Sequence, residues 1–345
     1  MNRRWCAAGT RILKTRKFTP GGISFTYFLL WFGLMALVAS GGAAPLLADA
    51  PPLLTLNPWV GSEIAQTWDH PMEENKAWIR NDGQSAHIFW YNSYGRIRFQ
   101  PDNAYSPAIG YRVMYVDLGT HSPLLPEQLT DQSLVLGAHL IRNSRWDLGV
   151  VLGGGYSGNS PFGDSRAYYG LGHIELGRRI SPDDQLDITL DYIGNGGLMP
   201  DVPLPGFAWE HRAKRTYWRL GYPTDEIRLH PLPRVALIGY YEAPIDGRAE
   251  VSYRIIKGLY GFADFQNYFE GYTINTYPDH QRLFMEFSRI EAGIRVIHEP
   301  LFDISVALGY AFNQEFMRGF DIRSLQPQAQ IANAPYVAFL IRGKF

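Results

Sequence analysis

The sequence predicts an all-β protein: a transmembrane antiparallel β-barrel of about 12 strands, or about 14 in the alternative count, with short periplasmic turns and longer outer loops. Segments of about ten residues that alternate apolar and polar side chains recur from residue 85 to the C-terminus. Short and long connections alternate between these segments, and aromatic residues crowd their ends. We therefore expect strands that expose one face to lipid and the other to a lumen.

The composition supports this class. Aromatic residues make up 14% of the 345-residue chain, with 21 tyrosines, yet only 19% of residues are charged and the mean hydropathy is −0.18. Abundant aromatics at middling hydropathy suit strands with two different faces and argue against helical membrane spans. A net charge of −1 gives no indication of a nucleic-acid partner. The single cysteine, Cys6, excludes a disulfide framework and thiolate metal sites in the rest of the chain.

The N-terminus has the pattern of a secretory signal. Basic residues precede a long apolar run, and small residues follow it. We expect residues 1–44 to form the signal peptide, with cleavage near Ala43 or Ala44, or alternatively after Ala50. An uncleaved signal anchor is the competing interpretation, because the run approaches the length of a membrane span.

The region after the signal divides into two parts. Residues 45–84 show no sustained period and are predicted to be a periplasmic lead-in. A hairpin-type turn at 81–83 allows a short first strand at 77–80 within it. Residues 85–345 are predicted to form the barrel.

The array contains thirteen alternating segments, whereas single-chain barrels of this type have an even number of strands. A short strand at 77–80 would make about 14, and removing segment 216–229, which Pro223 interrupts, would make about 12. The segments are 88–100, 107–119, 133–143, 145–156, 167–180, 185–195, 216–229, 234–242, 248–257, 259–269, 281–297, 301–313 and 335–345.

The last segment carries a terminal motif. Four apolar side chains share one strand face and the final residue is aromatic: Val337, Phe339, Ile341 and Phe345. This strand, together with the signal and the alternating array, resembles the outer-membrane β-barrel proteins of Gram-negative bacteria. Gly343 departs from the family, which usually has an aromatic residue there.

The resemblance implies a cell outer-membrane location, with membrane lipid around the wall. It also implies that the closing strand pairs with the first strand, which would be 88–100 or the short strand near Ala77, and that the barrel-assembly machinery reads it. The oligomeric state stays open.

Charged residues on the polar faces are the first candidate functional residues. We predict that seven of them line a pore: Asp187, Asp191, Glu250, Arg254, Arg289, Glu291 and Arg295. They would set the selectivity of the pore, or alternatively pair with each other and fill a narrow lumen. Glu286 does not share their alternation, which predicts a register change before Arg289.

The connection 196–215 is proline-rich and apolar. Its residues Pro203, Pro205, Phe207 and Trp209 are predicted to form a constriction or lid at the barrel mouth, or alternatively to pack on neighbouring loops.

No nucleotide-binding loop, zinc-ligand spacing or nucleophile elbow is present in the sequence. His139 and His173 lie on strands, but no serine is recognisably paired with either. We therefore predict a protein that is not an enzyme and needs no cofactor or metal.

Three functions remain open. The first is a channel or transporter for small solutes with a charged lumen. The second is a closed structural or adhesion barrel whose outer loops bind a partner. The third is a secreted soluble β-protein that binds carbohydrate through its tryptophans and tyrosines.

Overall fold

The structure is a computed structural model that describes residues 55–59, 61–80, 82–298 and 302–345. The predicted signal peptide and its cleavage sites lie outside these residues. Among the residues described, no helix has the length and apolar character needed to cross a membrane.

The regular structure of the described chain is almost all β-strand, and it includes the short 3-10 helix Ser165–Ala167. The strands are β1 (Ala65–Glu74), β2 (Ala77–Trp78), β3 (Ser85–Ala86), β4 (Phe89–Arg98), β5 (Ala108–Asp117), β6 (Gln128–Arg142), β7 (Trp146–Gly158), β8 (Tyr168–Arg179), β9 (Asp184–Ile193), β10 (Leu204–Ala213), β11 (Thr216–Tyr222), β12 (Thr224–Leu232), β13 (Val235–Glu242), β14 (Asp246–Ile256), β15 (Leu259–Thr273), β16 (Arg282–His298), β17 (Phe302–Gly319), β18 (Gln326–Ile331) and β19 (Ala334–Lys344).

The strands form one antiparallel sheet that closes on itself. β1 pairs with β4 on one side and with β19 on the other, where Met72 lies opposite Ala338. β2 and β3 form a separate small hairpin, and β18 and β19 both pair with β17, so these two share one position in the wall. Within the described residues the wall therefore has sixteen strand positions.

This count corrects the predicted number of about 12 or 14 strands. Three strands had been missed. β1 lies in the predicted lead-in, β10 lies in the predicted loop 196–215, and segment 216–229 turns at Pro223 into β11 and β12. In β1 the large apolar side chains Trp68 and Met72 point into the barrel, so the usual outward apolar pattern is absent.

The outer face of the wall is apolar. Along β9, Ile188 is 67% exposed while its neighbours Asp187 and Thr189 are buried inside, and Leu308 on β17 is 69% exposed. Other exposed apolar side chains continue this face around the barrel: Leu134, Leu152, Ile174, Phe207, Phe265, Ile294, Val306 and Phe339. A soluble protein would leave this large surface in contact with water, so the secreted carbohydrate-binding alternative is wrong.

The two ends of the barrel differ. At the end that we call the turn end, β6–β7, β8–β9, β10–β11, β12–β13 and β14–β15 are joined by short turns. Longer connections lie at the opposite end, the loop end, between β5 and β6, β7 and β8, β9 and β10, and β15 and β16. The predicted alternation fails between β11 and β14, where the loop end also turns tightly.

The height of the wall also varies. β11 has 7 residues and β13 has 8, whereas β16 has 17 and β17 has 18. The register between β16 and β17 shifts between Glu286 and Ser288, which is the predicted register change before Arg289.

Candidate functional site

The start of the described chain lies inside the barrel. Thr55 is buried, and the Leu56 carbonyl oxygen lies 3.0 Å from His139 Nε2. Glycines on the inner wall make room for it: a Cβ atom on Gly137 would lie 2.1 Å from Thr55 Oγ1, and one on Gly149 would lie 2.9 Å from a Leu56 methyl carbon. Residues 55–59, which we call the luminal segment, therefore occupy part of the lumen at the turn end.

An apolar cluster fills the loop half of the interior under β1, β4–β6 and β15–β19. Trp90 packs edge-on against Tyr268 and Phe287 at ring-centroid distances of 5.8 and 5.9 Å. Met114, Leu129, Tyr272, Leu283, Phe316 and Ile331 extend this cluster, and all of them are fully buried. Solute passage through this half of the barrel would require these side chains to move.

Opposite walls contact each other near the loop end. β7 is the fifth position of the wall and β15 the thirteenth, half of the way around, yet Gly158 pairs with Thr273 in a parallel bridge. The Ser157 hydroxyl donates to the Gly271 carbonyl oxygen at 2.9 Å, and Arg112 Nη2 on β5 lies 3.0 Å from Glu270 Oε2 on β15. We call these contacts the cross-lumen seam.

Loops fold over the seam and add to it. Asn195 donates from Nδ2 to the Gly271 carbonyl oxygen at 2.7 Å. The Arg282 guanidinium donates to the carbonyl oxygens of Asn195, Gly196 and Phe320 at 2.8 to 2.9 Å. The loops that follow β9 and β17 are thereby held across the loop end.

A polar cavity of about 290 Å³ lies between the inner faces of β6 to β13. On one side, Arg219 donates to Glu175 at 2.6 Å and to Asp187 at 3.2 Å. His173 Nδ1 lies 2.5 Å from Asp191 Oδ1, and the Thr189 hydroxyl donates to the other Asp191 oxygen at 3.0 Å. Charges from the three strands β8, β9 and β11 thus neutralise each other in the wall of this cavity.

A second ion cluster closes the turn end of the polar cavity. His139 Nδ1 lies 2.6 Å from Asp147 Oδ1, and Arg142 forms an ion pair with the other Asp147 oxygen. Arg142 also lies over the ring of Tyr105. Arg179 lies in the same wall, and none of the described carboxylates forms an ion pair with it.

A smaller cavity of about 140 Å³ lies in the other half of the barrel, between β1, β4, β14–β17 and β19. We call it the Arg289 cavity. In its wall Arg295 pairs with Glu250 at 2.8 Å, and Arg248 pairs with Glu250 at 2.9 Å and with Asp264 at 2.6 Å. Tyr240 lines both cavities, so the two adjoin at that side chain.

The structure places the seven pore-lining candidates on inner faces but divides them between the cavities. Asp187 and Asp191 belong to the network of the polar cavity. Three others line the Arg289 cavity, namely Arg289, Glu291 and Arg295, and Glu250 pairs with Arg295 beside it. Arg254 lies apart near the turn end and donates to the Pro233 carbonyl oxygen at 3.2 Å. Their role in solute selection stays a prediction.

The predicted loop constriction is wrong. Pro205, Phe207 and Trp209 belong to β10, which pairs with β9 and β11, and only Pro203 precedes the strand. Phe207 and Trp209 are 66% and 50% exposed on the outer face, where they meet lipid rather than the barrel mouth. The two prolines made a strand resemble a loop, but Pro205 lies opposite Leu190 of β9, and the pairing with β11 begins at Phe207.

The terminal motif faces outward. The side chains of Val337, Phe339, Ile341 and Phe345 are exposed, while their neighbours Tyr336 and Ala338 are buried inside. β19 closes the barrel against β1, where the Phe345 amide donates to the Ala65 carbonyl oxygen at 2.9 Å. Neither segment 88–100 nor the short strand near Ala77 is the closing partner, and recognition by the assembly machinery stays a prediction.

Sequence reasoning missed the seam and much of the ion network. The sequence does not indicate that Arg112 and Glu270 pair, because each is a single polar residue on a strand that alternates polar and apolar side chains. Arg219 lies in segment 216–229, which Pro223 interrupts, and neither Arg219 nor its partner Glu175 was among the predicted pore-lining residues. Inner-face position was readable from the two-residue period, whereas pairing across the lumen was not.

In the part of the chain that the structure describes, no group of three or more His, Cys, Asp or Glu side chains is arranged to hold a metal ion. The expectation that the protein needs neither metal nor cofactor stays a prediction.

A closed antiparallel sheet with an apolar outer face and a charged interior defines the class: this chain is a transmembrane β-barrel. No protein-family model matches it, and no curated protein does.

Solved structures of similar fold include three outer-membrane proteins. The Pseudomonas putida toluene transporter TodX is 8% identical, with 89% of this chain and 95% of that one covered and a TM-score of 0.37. The Acinetobacter baumannii outer-membrane protein Omp33 is 8% identical, with 83% and 100% covered and a TM-score of 0.35. A Pseudomonas aeruginosa FadL homologue is 10% identical, with 81% and 89% covered and a TM-score of 0.34. The assignment to the class of transmembrane β-barrels rests on the closure of the sheet and on its apolar outer face.

Proposed function

We propose that this barrel is a channel or transporter for small solutes in the outer membrane, with the cross-lumen seam as its closed gate. The observation that carries the proposal is a charged cavity enclosed by the wall and bounded at the loop end by a small number of polar contacts between opposite strands. Burying charged side chains costs free energy. A barrel without a transport role would gain nothing in return for a cavity of about 290 Å³ that is lined with them.

The cavity sets the kind of solute. A volume of about 290 Å³ corresponds to about ten water molecules in the liquid, so it admits a small molecule. The carboxylates and guanidinium groups in its wall favour a polar solute, since an apolar one would leave those groups without water. The adjoining Arg289 cavity, which shares Tyr240 with it, extends the possible path.

Conductance in planar bilayers tests the proposal. We expect discrete channel openings for the purified barrel, and a higher open fraction when Ser157→Ala removes the bond to the Gly271 carbonyl. Ser181→Ala is the matched control, because that hydroxyl bonds to Asp184 within one turn at the opposite end. Absence of openings at every voltage, in both the native barrel and the Ser157→Ala variant, would overturn the proposal.

A closed structural or adhesion barrel is the second candidate. The apolar cluster around Trp90 favours it, because that cluster fills the loop half of the interior. The same bilayer experiment separates the channel from the closed barrel, because a closed barrel gives no openings. Cells that carry a closed adhesion barrel would still bind a surface partner.

We also propose that the protein is not an enzyme. Both ring nitrogens of His139 have partners, Asp147 and the Leu56 carbonyl oxygen. His173 has Asp191 at one nitrogen and Glu175 at 3.8 Å from the other, so no hydroxyl nucleophile occupies the second position. We expect the native barrel and its His173→Asn variant to hydrolyse esters and phospholipids at the same rate, which is the background rate without protein.

A further inference from the structure

Among the arginines around the smaller cavity, Arg289 differs from its neighbours in its partners. Arg289 on β16 is 2% exposed and lies with its guanidinium carbon 4.8 Å from the ring centroid of Trp90. Its Nη2 donates to Gln266 Oε1 at 2.5 Å, and its Nη1 lies 3.4 Å from Met72 Sδ, a weak acceptor. Among the described residues no carboxylate oxygen lies within 4.0 Å of this guanidinium.

The neighbouring arginines are all neutralised. Arg295, on the same strand and the same inner face, pairs with Glu250, and Arg248 pairs with Glu250 and Asp264. Arg342 pairs with Asp303. A buried charge without a counter-charge is strongly unfavourable, so Arg289 calls for a compensating anion that the protein itself does not supply at contact distance.

The cavity beside Arg289 has further free donors. Trp68 Nε1, Trp90 Nε1 and Arg289 Nε are buried without a hydrogen-bond partner, and all three residues line the cavity of about 140 Å³. The carboxylates in the same wall are engaged elsewhere: Glu291 accepts from the Tyr336 hydroxyl at 2.8 Å, and Asp303 pairs with Arg342. Asn92 Oδ1 is an unpaired acceptor there, but its amide group also offers donors.

We propose that the Arg289 cavity is a binding site for a small anion, namely a carboxylate or a monoanion of similar size. The guanidinium of Arg289 supplies the positive charge, and the indole N–H groups of Trp68 and Trp90 supply hydrogen bonds. The cavity volume of about 140 Å³ limits the ligand to a few non-hydrogen atoms. The site does not depend on transport, so binding and conductance can be tested separately.

The test is the thermal unfolding of the intact barrel in detergent micelles during a titration with sodium formate. Sodium gluconate at the same concentration serves as the bulky reference anion. We expect formate to raise the unfolding temperature in a saturable way relative to gluconate, because a ligand that binds only the folded state stabilises it. For Arg289→Gln we expect the half-saturating formate concentration to rise at least tenfold. Arg323→Gln, which removes an arginine that pairs with Asp321 in the loop after β17, should keep the native value.

Two further measurements guard against a variant that fails to fold. Trp90→Phe keeps an aromatic side chain but removes the indole N–H donor, and it should weaken the formate response several-fold. Line broadening of ¹³C-formate by the native barrel reports binding without any variant. A parallel titration with sodium chloride distinguishes a site for any small monoanion, where chloride competes with formate, from one that requires a carboxylate.

Three results would overturn the proposal: formate and gluconate acting alike on the native barrel, formate showing no broadening, or Arg289→Gln keeping the native half-saturation. The cavity would then hold water only. A barrel that binds formate without conducting ions would refute the channel and leave this site in place.

Discussion

The cross-lumen seam gives the sharpest prediction, through the ion pair of Arg112 and Glu270. Glu270→Gln keeps the shape of the side chain but removes its charge. Glu270 Oε2 accepts from Arg112 Nη2 and from the Tyr268 hydroxyl, both at 3.0 Å. The substitution therefore leaves the Arg112 guanidinium buried against a neutral amide in the closed barrel.

The magnitude follows from the burial of the pair. The side chains of Arg112 and Glu270 are only 15% and 17% exposed, so solvent screens the interaction weakly. Removing one partner of a buried pair costs about 3 to 5 kcal/mol. The amide keeps part of the hydrogen bonding and Asp131 lies close enough to interact with Arg112, so we take about 3 kcal/mol. That amount changes the ratio of open to closed barrels by roughly 100-fold, since about 1.4 kcal/mol corresponds to a factor of ten.

Single-channel recording measures this ratio directly. We expect a native barrel that is closed for most of the record and a Glu270→Gln barrel that is open for most of it. Asp279→Asn is the matched control: it makes the same chemical change in an exposed loop pair with Arg166 and should leave the open fraction unchanged. If Glu270→Gln and Arg112→Met both record like the native barrel, the seam is not the gate.

Three further predictions concern assembly, the luminal segment and the loops. Deletion of Phe345 removes the terminal aromatic and its amide bond to Ala65, and we expect the barrel to fail to reach the membrane in cell fractionation. Gly137→Val places a methyl-bearing side chain where the luminal segment lies, and we expect that segment to become accessible to protease. The Arg166 guanidinium lowers the pKa of Asp164 below its usual value near 3.8, so the bond between them contributes stability above that pH. It is lost as the pH falls through the lower pKa, and we expect proteolysis between β7 and β8 to rise there.

Each of these has a control and a contrary outcome. If the barrel without Phe345 assembles normally, the terminal residue is not an assembly signal and β19 is an ordinary closing strand. Gly172→Val serves as control for the glycine, because its Cβ atom would meet neighbours only at 3.7 Å, and equal protease accessibility in the two variants would contradict the packing argument. At neutral pH, the Asp164→Asn variant should already be cleaved between β7 and β8 as readily as the native barrel is at acid pH. Cleavage that is indifferent to this substitution would refute the pH argument.

The sequence alone determined the class of fold and the orientation of most wall strands. Alternation along β9 and β17 separates outward Ile188 and Leu308 from inward Asp187 and Ser305, because a strand turns successive side chains to opposite faces. The same local signal predicted the inner position of Arg289 and Glu250, and it located the register change next to Glu286. These are properties of a strand and its immediate neighbours.

The missing strands show where this local signal ends. β1 carries Trp68 and Met72 on its inner face because they pack in the interior, which reverses the expected pattern of a lipid-facing strand. β10 begins beside two prolines that read as a loop, and its place in the wall comes from pairing with β9 and β11. Both strands are defined by their partners more than by their own residues.

The functional interior was decided only by the tertiary structure. Arg219 meets Glu175 across 44 residues of sequence, and Arg112 meets Glu270 across 158. Such pairs depend on the closure of the sheet and on the contact between opposite walls, which no periodicity encodes. For the same reason Arg289 looked like any other inward charge in the sequence: only the packed interior shows that its neighbours are neutralised while it has no carboxylate at contact distance.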